Sequence, residues 1–171
     1  HTDHGMRYIE NFVFDICRAR RDWSLGDWIE TACAEVRETT EGRRTISAVS
    51  GGVDSTVMAA LLHQALGKRS VPVFVDNGVL RGGEVQEVQH ALKVELGLNL
   101  KTIRAGGRFL KQLKGVTDPE KKRAAIGREF IRVFFPEIGR DDFLAQGTLY
   151  PDVIESVSGR GPSDKIKTHH N

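Results

Sequence analysis

Apolar residues recur along this chain with two alternating periods. Tyr8, Ile9, Phe12, Val13 and Ile16 fall at helical spacing within His1 to Arg21, a stretch that ends in the basic cluster Arg18, Arg20 and Arg21. Ser24-Leu25-Gly26-Asp27 reads as a capping box that opens a second helix. That helix is expected to bury Leu25, Trp28, Ile29, Ala32 and Val36 and to stop near Gly42. The pattern then shortens. Thr45 to Val49 is a β-like run, broken at Ser50-Gly51-Gly52, and a helix follows with Val57, Met58, Leu61, Leu62 and Ala65 inward, ending at Gly67.

Val71-Pro72-Val73-Phe74-Val75 is solidly apolar, as a strand covered on both faces would be. Pro72 places its first residues where no ladder donor is needed. A helix from about Glu84 to Leu96 and a third strand from Leu98 to Ile103 come next. Asp118-Pro119 is an N-cap with proline at the first helical position, and the helix it opens turns Ile126, Phe130, Val133 and Phe134 inward. A fourth strand, Asp142 to Ala145, leads into Gln146-Gly147-Thr148. Strands alternating with helices predict an α/β, Rossmann-like fold: a parallel sheet with helices on both faces and the ligand at the carboxyl ends of the strands.

Composition narrows the class. The chain has 171 residues, enough for one domain or one domain with a short appendage. Hydrophobic residues at 39% with charged residues at 28% exclude a disordered tail, and no apolar run is long enough to span a bilayer. A net charge of +2 is too balanced to argue for nucleic acid or an anionic membrane. Two cysteines, Cys17 and Cys33, exclude a disulfide scaffold and lack the context of a nucleophile. With no signal peptide and no methionine at position 1, the chain reads as cytoplasmic and as cut from something longer.

Ser50-Gly51-Gly52-Val53-Asp54-Ser55 carries the chemistry. It lies between a strand and a helix. Two adjacent glycines free the backbone, successive N–H groups can form an anion nest, and the helix adds its positive end. Ser50 and Ser55 add hydroxyls, so the loop suits a phosphate or pyrophosphate. A carboxylate beside such a ligand repels it unless it caps the helix or meets a cation. Asp54 is expected to do both, with Mg²⁺ as the cation. The plainer alternative is a Gly-Gly turn with a serine cap. No Gly-Lys-Ser/Thr follows, so the loop is not of the Walker type, and no G-x-G-x-x-G is present, although Asp76 lies about where a ribose-binding acid would. His169-His170 has no acidic partner nearby in the sequence and is read as non-metal.

The six-residue loop resembles the PP-loop of the N-type ATP pyrophosphatases, which have the adenine nucleotide alpha hydrolase-like fold. Val75-Asp76-Asn77-Gly78-Val79-Leu80-Arg81, Asp118-Pro119-Glu120 with Lys122-Arg123 and Ile126-Gly127, Leu144 to Ser156 and Ile166 to Asn171 are similar to the GMP synthetase family. His1-Thr2, Gly5 and Asn11-Phe12 resemble the last helix of that family's glutaminase domain. The resemblance implies a ligase of purine biosynthesis. It adenylates xanthosine 5′-monophosphate (XMP) with ATP and Mg²⁺, releases pyrophosphate, and lets ammonia from glutamine displace AMP. It implies ATP contacts from Ser50 to Ser55, Val75, Asp76, Gly147 and Thr148, and metal binding at Asp54. It implies substrate contacts from Arg81, Arg123 and Asp152, and catalytic roles for Asp54, Lys165 and Lys167. It divides the chain into a glutaminase tail, residues 1–22, and an ATP-pyrophosphatase domain, residues 23–171. In the family a further dimerisation domain, absent from this sequence, makes a homodimer. A tRNA-thiolating or NAD synthetase-like PP-loop enzyme, or a nucleotide-binding module without chemistry, are the alternatives.

Overall fold

The computed structural model describes residues 2–148. Strands β1 (Thr45–Val49), β2 (Ser70–Asp76), β3 (Lys101–Arg104) and β4 (Phe143–Ala145) form one parallel sheet in the order β3-β2-β1-β4. Chain order moves outward from β1 to β3 on one side, then returns to place β4 on the other. That reversal is a topological switch point, and it opens a crevice beyond the carboxyl ends of β1 and β4. Pro72 pairs opposite Ser47, ahead of the β3 ladder, which begins at Val73 opposite Lys101. The missing N–H is therefore not called on there.

The helices are α1 (Gly5–Glu10, running on as a wider turn through Asn11–Ile16), α2 (Leu25–Thr40), α3 (Val53–Leu66), α4 (Glu84–His90, continued through Ala91–Glu95), α5 (Gly106–Leu113) and α6 (Pro119–Phe134). Alternate strand residues face opposite layers. Ile46, Val73 and Val75 pack against Phe109 of α5 and Val133 and Phe134 of α6. Val49 and Phe74 pack on Ala59 of α3 and Val88 and Leu92 on the other face. Cys33 of α2 closes on Leu62, Ala65 and Leu66 of α3. Among the described residues, no helix is long and apolar enough to cross a membrane.

Both sequence caps form. The Ser24 hydroxyl accepts from Asp27 N–H at 3.4 Å, and the Asp118 carboxylate accepts from Lys121 N–H at 2.8 Å. Several inward assignments fail. Leu25 and Trp28 are exposed, Trp28 at 49%, because α2 meets α3 through Cys33 rather than through its first turn. Val57 is 60% exposed, and α3 instead buries Ala59 and Leu66. The α1 stripe buries nothing: Tyr8, Ile9, Phe12 and Ile16 are all exposed. The third strand is shorter than expected, with Leu98 and Leu100 buried ahead of it. Helix α5 had no sequence signal, since it opens on Gly106-Gly107 without a capping side chain.

Candidate functional site

The Ser50–Ser55 loop sits at the switch point, where β1 ends and α3 begins. Its N-cap residue is Gly52, which offers no side chain to the helix. The N–H groups of Val53, Asp54 and Ser55 therefore have no intrahelical acceptor and remain open to an anion. Asp54 lies in the first helical turn and does not cap it, contrary to the expectation from sequence. Among the described residues Asp54 makes no ion pair, so its exposed carboxylate meets only the positive end of α3.

The two serines brace the loop. Ser50 N–H donates to Ser55 Oγ at 3.2 Å, the two hydroxyl oxygens lie 3.2 Å apart, and the Ser55 hydroxyl donates to Gly52 O at 3.1 Å. Gly51 has φ +84°, and a Cβ there would come 2.4 Å from Val88 Cγ2 of α4. Glycine is thus required twice, by backbone conformation and by the close seat on α4.

From this loop a cavity of about 590 Å³ extends over the strand ends. Its polar end is Ser50 and Ser55, beside Gln146 and Gly147 from the turn after β4. It is also lined by apolar side chains, with Phe130 and Phe134 of α6 stacked at 5.7 Å, together with Ile131 and Leu144. Val75 and Asn77 form the floor where β2 ends. An apolar cavity that reaches Ser50 and Ser55 of the loop suits a ligand with a flat uncharged part and an anionic tail.

The sequence-predicted residues distribute unevenly around this space. Ser50, Ser55, Val75 and Gly147 line it. A Cβ on Gly147 would lie 3.6 Å from Met58 Sδ and 3.8 Å from the Asp54 carbonyl oxygen, so the turn after β4 rests on the start of α3. Asp76 stands just outside, its Oδ1 accepting from Gly78 N–H at 3.0 Å. Gly78 lies against backbone: a Cβ there would meet Gly106 Cα at 2.7 Å. Thr148 is exposed beyond the lining. Arg81 lies in the loop after β2, where its N–H donates to Glu84 Oε2 at 2.9 Å. Arg123 pairs with Glu120 on its own helix, outside the cavity but one turn before Gly127, which lines it. Asp152, Lys165, Lys167 and His169-His170 lie outside the described residues.

Sequence reasoning missed Asn77, Leu80, Gly127 and Ile138 as lining residues, and it read Phe130 and Phe134 as core alone. Their helical spacing was visible, but nothing in it says that one edge of the stripe faces a cavity. Among the described residues no three His, Cys, Asp or Glu side chains gather as a metal site. A metal here would need ligands from elsewhere, such as phosphate oxygens beside Asp54.

No family model matches the chain. All of its length aligns, at 54% identity over 174 residues, with the glutamine-hydrolysing GMP synthase of Nitratidesulfovibrio vulgaris (strain Miyazaki F), of which it covers 34%. Among solved structures it is similar to the NH3-dependent NAD synthetase of Campylobacter jejuni subsp. jejuni, with a TM-score of 0.65 and 14% identity over 77% of this chain and 59% of that one. It is also similar to the NMN synthetase of Francisella tularensis, with a TM-score of 0.58 and 15% identity over 74% and 56% of the two chains. At those identities the likeness shows the fold, which is adenine nucleotide alpha hydrolase-like. The alignment along every residue makes this chain a relative of the GMP synthases, spanning about a third of their length.

Proposed function

We propose that this chain is the ATP-pyrophosphatase part of a glutamine-hydrolysing GMP synthase, a carbon–nitrogen ligase that uses ATP. The observation that carries the reading is the continuity of the anion loop with the apolar slot, in a chain that aligns end to end with GMP synthases. In this reading the open N–H groups of Val53, Asp54 and Ser55 hold the β- and γ-phosphates, and the adenine lies against Val75 and the Phe130–Phe134 wall. Asp76 faces the ribose, and Gly147 and Thr148 pass beside the phosphates.

The overall reaction is adenylation of the xanthine O2 of XMP with loss of pyrophosphate, followed by displacement of AMP by ammonia. The chain's contribution to the first step is to orient the phosphates and to stabilise the charge that develops on the leaving group through preorganised donors. Asp54, exposed in the first turn of α3, would hold a Mg²⁺, which when bound would neutralise that same charge. Arg81, Arg123 and Asp152 are proposed to face XMP, and Lys165 and Lys167 the α-phosphate as the adenylyl group is transferred. Arg123 would first leave Glu120.

The same reading assigns residues 1–22 to the end of a glutaminase domain and residues 23–171 to the nucleotide domain, with homodimerisation through a segment beyond this sequence. The exposure of the α1 stripe supports that division, because a helix belonging to this core would bury it.

The test supplies the complete natural protein with ATP, Mg²⁺, XMP and ammonia. AMP and pyrophosphate are expected in equal amounts, and only when XMP is present. Release of ADP, or turnover without XMP, overturns the reading.

A further inference from the structure

The cavity has two walls that share no element. One is the end of β2 and the loop after it, through Val75, Asn77 and Leu80; the other is α6, through Gly127, Phe130 and Phe134. Helix α5 lines neither wall but grips both. At its start, Ala105 N–H donates to the Asp76 carbonyl at 2.8 Å. Gly106 then lies against Gly78 so closely that a Cβ on it would sit 3.0 Å from Gly78 Cα. In its middle, the fully buried Phe109 packs with Val133 and Phe134. Along its side, Arg108 Nε donates to Glu129 Oε1 of α6 at 2.7 Å, and Arg132 approaches the other carboxylate oxygen at 3.5 Å.

Glu129 is 2% exposed. A carboxylate removed from water that far is stable only where cations meet it. Arg132 lies on α6 itself and meets Glu129 wherever that helix sits, whereas Arg108 ties the same carboxylate to α5. Since α5 is tied by backbone to the Asp76–Gly78 loop, the ion pair sets how far the aromatic wall stands from the opposite one. The anion loop is held separately, by its serine hydroxyls and by the seat of Gly51 on Val88.

We propose that Arg108 and Glu129 are positioning residues that, through α5, fix the width of the apolar slot for the base of the nucleotide without acting on the phosphate loop. The proposal rests on the reading of the cavity as an ATP site. A purely structural ion pair would loosen the whole site equally, whereas a width-setting pair affects only ligands that fill the slot.

The experiment measures dissociation constants of ATP and of inorganic pyrophosphate for the complete natural protein, well below its unfolding temperature, with Glu129→Gln, Arg108→Gln and Arg108→Lys alongside. Glu129→Gln and Arg108→Gln are expected to weaken ATP about tenfold and to leave pyrophosphate within about twofold. Arg108→Lys, which keeps a cation facing Glu129, is expected to recover most of the ATP affinity. If Glu129→Gln does not fold, Arg108→Gln carries the test, since the Arg108 side chain is 56% exposed and its truncation leaves Arg132 beside the carboxylate. Equal weakening of both ligands, or of neither, overturns the positioning role. A wild-type protein that binds neither ligand overturns the site itself, and the proposal with it.

Discussion

The two ends of the cavity are built by different means. The loop end, proposed to take the phosphates, is six consecutive residues, and each part of it follows from local chemistry: a strand that stops, two glycines, two serines and an uncapped helix. The apolar end gathers Val75 from β2, Phe130 and Phe134 from α6, and Leu144 from β4, and it exists only because the sheet order brings them together. Local construction makes the first end sensitive to single backbone atoms. The second depends on how whole helices sit, so substitutions there change fit more than they change chemistry.

Removing the carboxylate at the phosphate end has the largest expected effect. Asp54→Ala is expected to lower pyrophosphate-releasing turnover by about a hundredfold or more while lowering the melting temperature by only a few degrees, because the side chain is exposed and meets only the positive end of α3. Steady-state kinetics beside a thermal melt check both halves, and retained activity removes the metal role proposed for this residue.

Two glycine substitutions then set the ends directly against each other. Gly51→Ala places a Cβ 2.4 Å from Val88 Cγ2 at φ +84°, and it is expected to cost about 1–3 kcal/mol of stability and to disrupt pyrophosphate binding. Gly127→Ala has the opposite sign for stability. Gly127 is interior to α6, no atom outside its own helical surroundings lies within 4 Å of a Cβ added there, and alanine should stabilise the helix by about 1 kcal/mol. The same methyl enters the cavity, so ATP should bind several-fold more weakly while pyrophosphate is unaffected. Denaturant unfolding with paired binding titrations reads both effects, and a Gly127→Ala protein that binds ATP normally would take this part of α6 out of the site.

The smallest effect concerns β4, which both ends share. A side-chain hydrogen bond from Arg44, at 3.0 Å from its Nε to Asp142 Oδ1, holds the Asp142 carboxyl below its ordinary 3.8, with burial opposing the shift and the Gly139 N–H assisting it. The shift is downward in the folded state. Its contribution to stability is therefore complete above the ordinary carboxylate range and is lost as pH falls through the lowered value. Once both are normalised to their stability at pH 7, Asp142→Asn should lose less stability on acidification than wild type, because it lacks the carboxyl whose contribution is titrated away. Identical normalised profiles would show that the pair does not anchor the strand.

Much of the framework was legible in advance. Thr45–Val49 appears as written, Asp118-Pro119 opens α6 where the cap chemistry places it, and the parallel sheet follows from the alternation of runs. Exposure was less legible. The α1 stripe, Trp28 and Val57 have the spacing of buried residues, yet burial depends on which partner arrives, and periodicity does not name the partner. Helix α5 gave no signal because two glycines open it and no capping residue precedes it, so its formation rests on Phe109 reaching the core.

By itself the sequence determined a turn bearing glycines and serines between a strand and a helix, since conformational freedom, hydroxyls and open amides all belong to neighbouring residues. Tertiary structure decided what that turn serves. Only the return of the chain to place β4 beside β1, and the clamp of α5 between two walls, made a slot beside the loop. Such contacts join residues far apart in the chain, and their free energy comes from burial that no local pattern records.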